Sequence, residues 1–324
     1  MIKALAITGP TASGKTAVSI EVAKALSGEI ISCDSMQIYR EMNIGTAKAT
    51  EEERREVPHH MLDFLSPTES YSAEAYRADA MKVAGEISER GKLPIFVGGT
   101  GLYIDTLLRA DCEKAPESSP EFRQRLLDSL GGTEDADILW QRLFEVDRES
   151  AETIHKNNVR RVIRALEIYE RTGKPKSYFD KLSRAKNNDI EIEMITLDFH
   201  DRENLYSRVN ARVDEMLSAG LLAEVCSLYE RGMLRENTTA AQAIGYKEII
   251  CHIKGEVSLE EAVENLKLST RRYAKRQLTW FRHEEFAYRL YIDDENGRMR
   301  DKTDIISEAI NFANKIQGNT NEIK

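Results

Sequence analysis

The chain has 324 residues, 41% of them apolar and 31% charged, with a formal net charge of −9. That length allows two domains or one core carrying a large insertion, and the mix is that of an ordinary soluble globular protein. Taken alone, the acidic balance argues against wholesale nucleic-acid binding, so any such role must rest on local basic patches.

Short runs rich in Ile, Leu, Val and Phe predict strands at 3–8, 29–33, 93–97, 192–198 and 288–292. Helical patterns intervene at 16–26, 72–90 and 201–217, and this alternation predicts a parallel sheet covered on both faces. It stops between about 111 and 188. Pro116, Ser118, Ser119 and Pro120 mark a break, followed only by helix-like segments at 120–130, 137–145, 149–154 and 158–171. The expectation is an α/β core of residues 1–112 and 189–316, a helical insertion at 113–188 and a polar tail at 317–324. The four cysteines (Cys33, Cys112, Cys226, Cys251) are scattered with no CxxC pair, which argues against a disulfide framework or structural zinc and for a reducing compartment. No apolar run reaches the roughly 18 residues of a membrane span. The start, Met1 to Ile7, is too short for a secretory leader. A cytoplasmic enzyme is expected.

Gly9-Pro10-Thr11-Ala12-Ser13-Gly14-Lys15-Thr16 fits GxxxxGK[ST], between a predicted strand and a predicted helix. In that context glycines let successive N–H groups point at one phosphate, the helix N-terminus adds to the field, Lys15 supplies a cation and the Thr16 hydroxyl can hold Mg²⁺. The fold class is therefore α/β, a P-loop NTPase-like parallel-sheet core with an all-helical insertion. The loop establishes a polyphosphate ligand and leaves open whether that ligand is a nucleotide such as ATP. Hydrolysing phosphate-loop enzymes need an acid at a neighbouring strand end. The 93–97 strand runs into Gly98-Gly99-Thr100 instead, and the strand-end acids are Asp34 and Asp198. Asp34 reads either as a site carboxylate beside the phosphate loop or as the N-cap of a following helix. Arg208 and Arg212 fall one turn apart on the 201–217 helix, and a solvated pair bridging to Glu203 or Glu215 is the plain alternative.

Two stretches reverse the overall charge. From 156 to 186 there are ten Lys/Arg against three acids, and from 267 to 282 there are six against none. Arg160, Arg164 and Arg171 lie off the apolar stripe of Val159, Val162, Ile163 and Leu166, while Tyr273 and Trp280 interleave the second block as stacking surfaces. Such asymmetry is how an acidic protein presents a basic face to RNA. A solvated face with Arg164 bridging Glu167 is the bland alternative.

Several segments together resemble one family. The phosphate loop is followed by Ile31-Ser32-Cys33-Asp34-Ser35-Met36-Gln37-Ile38-Tyr39, Ile44-Gly45-Thr46-Ala47-Lys48 and Pro58-His59-His60-Met61-Leu62-Asp63. Then come Gly98-Gly99-Thr100-Gly101-Leu102-Tyr103, Arg164-Ala165-Leu166-Glu167, Gln242-Ala243-Ile244-Gly245-Tyr246-Lys247 and Lys275-Arg276-Gln277-Leu278-Thr279-Trp280-Phe281-Arg282. In order and at sensible spacing, to about residue 282, this resembles the tRNA isopentenyltransferase (bacterial tRNA dimethylallyltransferase) family. Ala49 stands where the family usually has proline, a departure that bears on loop stiffness.

The resemblance implies transfer of a dimethylallyl group from dimethylallyl diphosphate to the exocyclic amine of the adenine at tRNA position 37. The phosphate loop would hold the diphosphate, with Mg²⁺ on Thr16. Asp34 matches the general base, Arg212 the diphosphate-contacting arginine and Thr100 a contact to the target nucleotide. The implied RNA surface comprises Asp34, Ser35, Met36, Gln37, Thr100, Arg123, Arg160, Arg161, Val162, Ile163, Arg164, Gln242, Ala243, Ile244, Gly245, Tyr246 and Lys247. The partner would be the tRNA anticodon stem-loop, with no membrane involved and a monomer expected. The competing readings are an adenylate isopentenyltransferase acting on free nucleotide, an ATP-dependent small-molecule kinase with a basic lid, and a nucleic-acid-binding ATPase.

Overall fold

The computed structural model describes residues 1–109, 115–116, 118–129, 135–182, 187–236, 238–284 and 286–318. Cys112, Arg184 and Lys186 lie outside the described residues, as does the tail from 319. The chain divides into two compact units, Met1–Leu108 with Asp189–Lys324, and Arg109–Asn188.

The first unit is built on six parallel strands: β1 (Ile2–Thr8), β2 (Gly28–Ser32), β3 (His59–His60), β4 (Leu93–Gly98), β5 (Ile190–Asp198) and β6 (Tyr288–Tyr291), in the order β3-β2-β4-β1-β5-β6. Five match the predicted runs. The sixth, β3, is two residues long, too short for any hydrophobic period to register. It closes the edge with His60 Nε2 2.7 Å from the Glu29 carboxylate.

Strand alternation sends Leu5 and Ile7 of β1 to one face and Ala4 and Ala6 to the other, all of them buried. Both faces are covered, as a parallel sheet requires. Helices α1 (Lys15–Ala25), α2 (Glu51–Glu56), α3 (Ala73–Glu89) and α4 (Gly101–Leu108) connect the first strands. α1 packs on the Leu5/Ile7 face, and α3 and α4 on the Ala4/Ala6 face.

Among the described residues, the elements of the second unit are helices: α5 (Pro120–Ser129), α6 (Ala136–Val146), α7 (Arg148–Thr153), α8 (Val159–Thr172) and α9 (Lys176–Leu182). Their shared core is Phe122, Leu126, Leu139, Leu143, Ile154, Val162, Ile163 and Leu166. α8 ends at Gly173, whose φ of 68° provides the left-handed cap that most side chains resist.

Back in the first unit follow α10 (Arg202–Ser218), α11 (Leu221–Glu230), α12 (Tyr246–Ile253), α13 (Leu259–Arg282) and α14 (Lys302–Gly318). Helices α10 to α13 enclose a third apolar cluster with Ile38, Tyr39 and Met42 from the segment after β2. Ser258 caps the 24-residue α13 in a reciprocal box with Glu261. No helix of the described residues is long and apolar enough to cross a membrane.

Candidate active site at the carboxyl ends of the strands

β1 delivers the phosphate loop. Gly9 takes φ 137° with the Leu197 carbonyl against it, Ala12 φ 63° and Gly14 φ 92°, so the backbone coils tightly before α1 begins at Lys15. Two of these are glycines because a side chain is disfavoured there; Ala12 is a strained exception of the kind that gathers at functional sites. Lys15 Nζ folds back onto the Gly9 and Pro10 carbonyls at 3.1 and 2.7 Å. Burial, then the nearby charge of Arg212, pushes its ammonium down to about 7, partly opposed by Asp34. The Ser13 hydroxyl is buried with no hydrogen-bond partner. A buried donor left unpaired is costly unless something else accepts from it.

Asp34 follows β2. Strand β4 stands between β1 and β2, so the carboxylate must reach past the end of β4 to face the loop. Gly98 and Gly99 open that path. A Cβ on Gly98 would overlap the Cys33 backbone, and one on Gly99 would overlap the Gln277 amide. The two readings of Asp34 resolve together. Its Oδ1 does accept the Met36 N–H at 2.9 Å, but the segment it caps is a turn, not a helix. Burial pushes the Asp34 carboxyl above the usual carboxylate range, against the pull of the Met36 N–H, of Lys15, of the Gln37 N–H and of Arg212. Such a group is a stronger base than a solvated aspartate. Asp198, the other strand-end acid, is wholly committed: Arg282 grips it through two bonds of 2.9 and 2.7 Å, and it accepts the Phe199 N–H.

The two arginines of α10 divide their work. Arg208 Nε donates 2.7 Å to the Ala12 carbonyl, bracing the phosphate loop from outside. Arg212 has a buried Nε without a partner, and burial lowers its guanidinium from the ordinary value while Asp34 raises it. It is not the solvated pair member of the plain alternative. Thr100 accepts the Ser35 N–H at 3.1 Å, and its own N–H bonds the Cys33 carbonyl at 3.2 Å. The Tyr273 side chain is partly buried, with its hydroxyl toward the Thr100 and Gln277 side chains, and Arg276 lies over its ring. Gln277 accepts the Thr11 N–H and donates to the Gly99 carbonyl, both at 2.8 Å. Sequence reasoning noted Arg208 only as the neighbour of Arg212 one turn away and gave Gln277 no role. The only signal was the place of Gln277 within the Lys275–Arg282 motif.

The remaining implied RNA contacts fall into separate groups. Gln37 is tied inward, accepting from the Ser32 hydroxyl at 3.0 Å and donating to the Thr46 carbonyl at 3.2 Å. Met36 packs beside the cluster of Ile38 and Tyr39. Ala243, Gly245 and Tyr246 are buried, Tyr246 holding Glu224 at 2.6 Å, while Gln242 is exposed and Ile244 and Lys247 are partly exposed. In the second unit Arg160 and Arg161 are exposed, and Arg123 is half-buried on α5. Val162 and Ile163 are buried at 0% and 4%, so their side chains serve the core and cannot face an RNA. Arg164 bonds Glu167 at 2.8 Å and also the Pro116 carbonyl, and Arg171 reaches the same Glu167 at 3.3 Å. Of the three arginines expected on one free face, Arg164 and Arg171 are bound to a carboxylate only 2% exposed.

Among the described residues no group of three His, Cys, Asp or Glu could cage a metal. The donor set suits Mg²⁺ only in the manner usual for that ion, through one protein oxygen and the oxygens of a bound phosphate. By the loop motif, Thr16 is the residue that would supply that oxygen.

A phosphate-binding loop that opens a helix beside a buried strand-end carboxylate, on a parallel sheet covered on both faces, is the layout of a P-loop-like α/β enzyme. Residues 37–284 match the model of the IPP transferase family, and residues 2–68 that of the isopentenyl transferases. The tRNA dimethylallyltransferase of Thermoanaerobacter sp. (strain X514) is 46% identical over 94% of this chain and 96% of its own. That of Bacillus cereus (strain AH187) is 51% identical over 87% of each. The crystal structure of the Staphylococcus epidermidis tRNA delta(2)-isopentenylpyrophosphate transferase is 43% identical, with a TM-score of 0.68 over 97% of this chain and 99% of that one. A eukaryotic dimethylallyltransferase captured acting on tRNA is 31% identical, with a TM-score of 0.80 over 98% of this chain and 80% of that one. The chain belongs to the IPP transferase family, the family of the tRNA dimethylallyltransferases, and is a prenyl-transferring enzyme acting on tRNA.

Proposed function

We propose that the donor is dimethylallyl diphosphate and the acceptor the exocyclic amine of adenine 37 in the tRNA anticodon stem-loop. The observation that carries this is the pairing of two kinds of group in one site. Donors without partners, the Ser13 hydroxyl and the Arg212 Nε, stand by the phosphate loop, and a carboxylate held by no side chain, Asp34, faces them. The C1–O bond to the diphosphate breaks and a C1–N bond forms. One amine proton passes to Asp34, and the diphosphate leaves with the bonding pair.

Charge growing on the leaving group is met by the loop amides, Ser13, Lys15 and Arg212, donors fixed before the reaction begins. A diphosphate also returns Lys15 to its protonated form by offsetting the burial that lowers it. Mg²⁺, held by Thr16 and the diphosphate, would further neutralise that charge. Thr100 fixes the Ser35 end of the Asp34 turn, which keeps the base on one side of the acceptor nitrogen. The exposed Arg160 and Arg161 supply phosphate contacts, with Gln242 and Lys247 at the border of α12. This reading places the enzyme in the cytoplasm, working as a monomer.

The deciding experiment incubates the protein with radiolabelled dimethylallyl diphosphate, Mg²⁺ and either bulk tRNA or AMP. Label in tRNA alone is expected. Label in AMP points to the free-nucleotide activity, and consumption of ATP with no prenyl transfer overturns the assignment.

A further inference from the structure

We infer that Gln277 is a positioning residue that holds the diphosphate loop and the acceptor-side turn in register, a role that rests on the function proposed above. Three residues on one face of α13, at spacings of four and three, meet the three residues that lead from β4 into α4. Tyr273 lies against Thr100, Gln277 bonds Gly99, and Trp280 covers Gly101 so closely that a Cβ there would overlap its indole.

Gln277 alone of the three also reaches the phosphate loop. Its carbonyl oxygen takes the Thr11 N–H while its amide nitrogen donates to Gly99. One 6%-exposed side chain thus spans the two halves of the site. On its loop side stand the leaving-group donors. On its other side Gly99 leads to Thr100, and Thr100 holds the Ser35 N–H at the foot of the Asp34 turn. The amide suits this task because it is donor and acceptor at once. A carboxylate would repel the Gly99 carbonyl, and an apolar side chain would leave both backbone groups unpaired. In-line displacement needs the donor carbon and acceptor nitrogen aligned, and misplacement by about 1 Å costs on the order of 100-fold in rate.

The test compares wild type with Gln277→Met, which keeps volume and helix propensity, and Gln277→Glu, which keeps only the acceptor. Each is assayed by single-turnover prenyl transfer to tRNA from pH 5.5 to 8.5, by calorimetric binding of inorganic diphosphate with Mg²⁺, and by thermal unfolding. Gln277→Met should lose on the order of 100-fold in transfer rate while diphosphate affinity stays within about threefold. Gln277→Glu should recover toward wild type as pH falls, because the protonated carboxyl again donates to Gly99. A purely structural role would not produce that pH-dependent rescue. Transfer within threefold of wild type in Gln277→Met overturns the positioning role. So does diphosphate affinity that falls in step with rate, or a Gln277→Glu profile parallel to wild type. Wild type that transfers nothing to tRNA overturns the functional reading itself, a result distinct from all of these.

Discussion

β2 and β5 each end in an aspartate, and the two carboxylates have opposite fates. Asp198 is 0% exposed and clasped by Arg282 through two charge-assisted bonds, with the Phe199 N–H filling a further lone pair. Asp34 is held only by the backbone N–H groups of Met36 and Gln37 in its own turn and feels Lys15 and Arg212 as charges nearby. A carboxylate saturated by partners is part of the scaffold; one held in place but left with free lone pairs is available to take a proton. What separates them is the partner that the rest of the chain sends. α13 ends in Arg282, whose reach covers β5 and stops short of β2.

Replacing each acid breaks or confirms that contrast. Asp34→Asn should lower single-turnover prenyl transfer by about 10²–10⁴-fold, the range for a positioned general base. Its carboxyl lies above the ordinary range, so ionising it weakens folding as pH climbs from the usual carboxylate value through the raised one. Asp34→Asn should therefore melt no lower than wild type at pH 8, and tRNA affinity should hold. Unchanged turnover would remove the base assignment. Asp198→Asn should do the reverse. Breaking a buried pair costs about 3–5 kcal/mol, reduced here to about 2 kcal/mol because Arg282 is partly solvated. That cost should appear in chemical denaturation, with transfer per folded molecule nearly intact.

This contrast was only half legible in the amino-acid sequence. Both aspartates could be placed at strand ends, because short apolar runs between amphipathic helices give strand boundaries within a residue or two, and the phosphate loop announced itself through glycine and lysine spacing. Which acid was spoken for could not be read, since Arg282 lies 84 positions from Asp198 and no local pattern links them. The same distance hid Gln277, 266 positions from Thr11. Two-residue β3 had no period to detect. Arg160, Arg164 and Arg171 share a spacing that predicts a common face, yet Glu167 on the same helix captures two of them, and the segment before α5 adds the Pro116 carbonyl.

Lys15 sharpens the comparison from the donor side. Its ammonium sits at about 7 in the folded protein and near 10.5 in an unfolded chain, so the folded protein binds fewer protons across that window. Stability of the ligand-free enzyme should rise with pH between those values, and Lys15→Met should lack the rise. A bound diphosphate pulls the group back up. Binding above pH 7 should then take up as much as about one proton and weaken by at most roughly tenfold per pH unit. Calorimetry in buffers of different ionisation heat measures this directly. Proton uptake equal in wild type and Lys15→Met would show that the lysine is not the group responsible.

The smallest effects belong to α8, where the distinction between committed and available charge recurs. Arg160 and Arg161 have no ion-pair partner among the described residues, whereas Arg164 is engaged by Glu167 and Pro116. Phosphate contacts made by free arginines release counterions, so their loss weakens RNA binding and flattens its salt dependence. Arg160→Ala with Arg161→Ala should reduce tRNA affinity by about tenfold near physiological salt and lower the log–log salt slope by between one and two. Arg164→Ala should instead leave the buried Glu167 with Arg171 and the Ser119 N–H alone, lowering the melting temperature of the second unit while the salt slope stays within error. Filter binding across 50–300 mM salt, paired with thermal unfolding of each variant, separates the two. A salt slope that dropped for Arg164→Ala and not for the double variant would mean that the bound arginine is the one that meets RNA, and that an ion pair seen in the free enzyme is no guide to which charges serve the substrate.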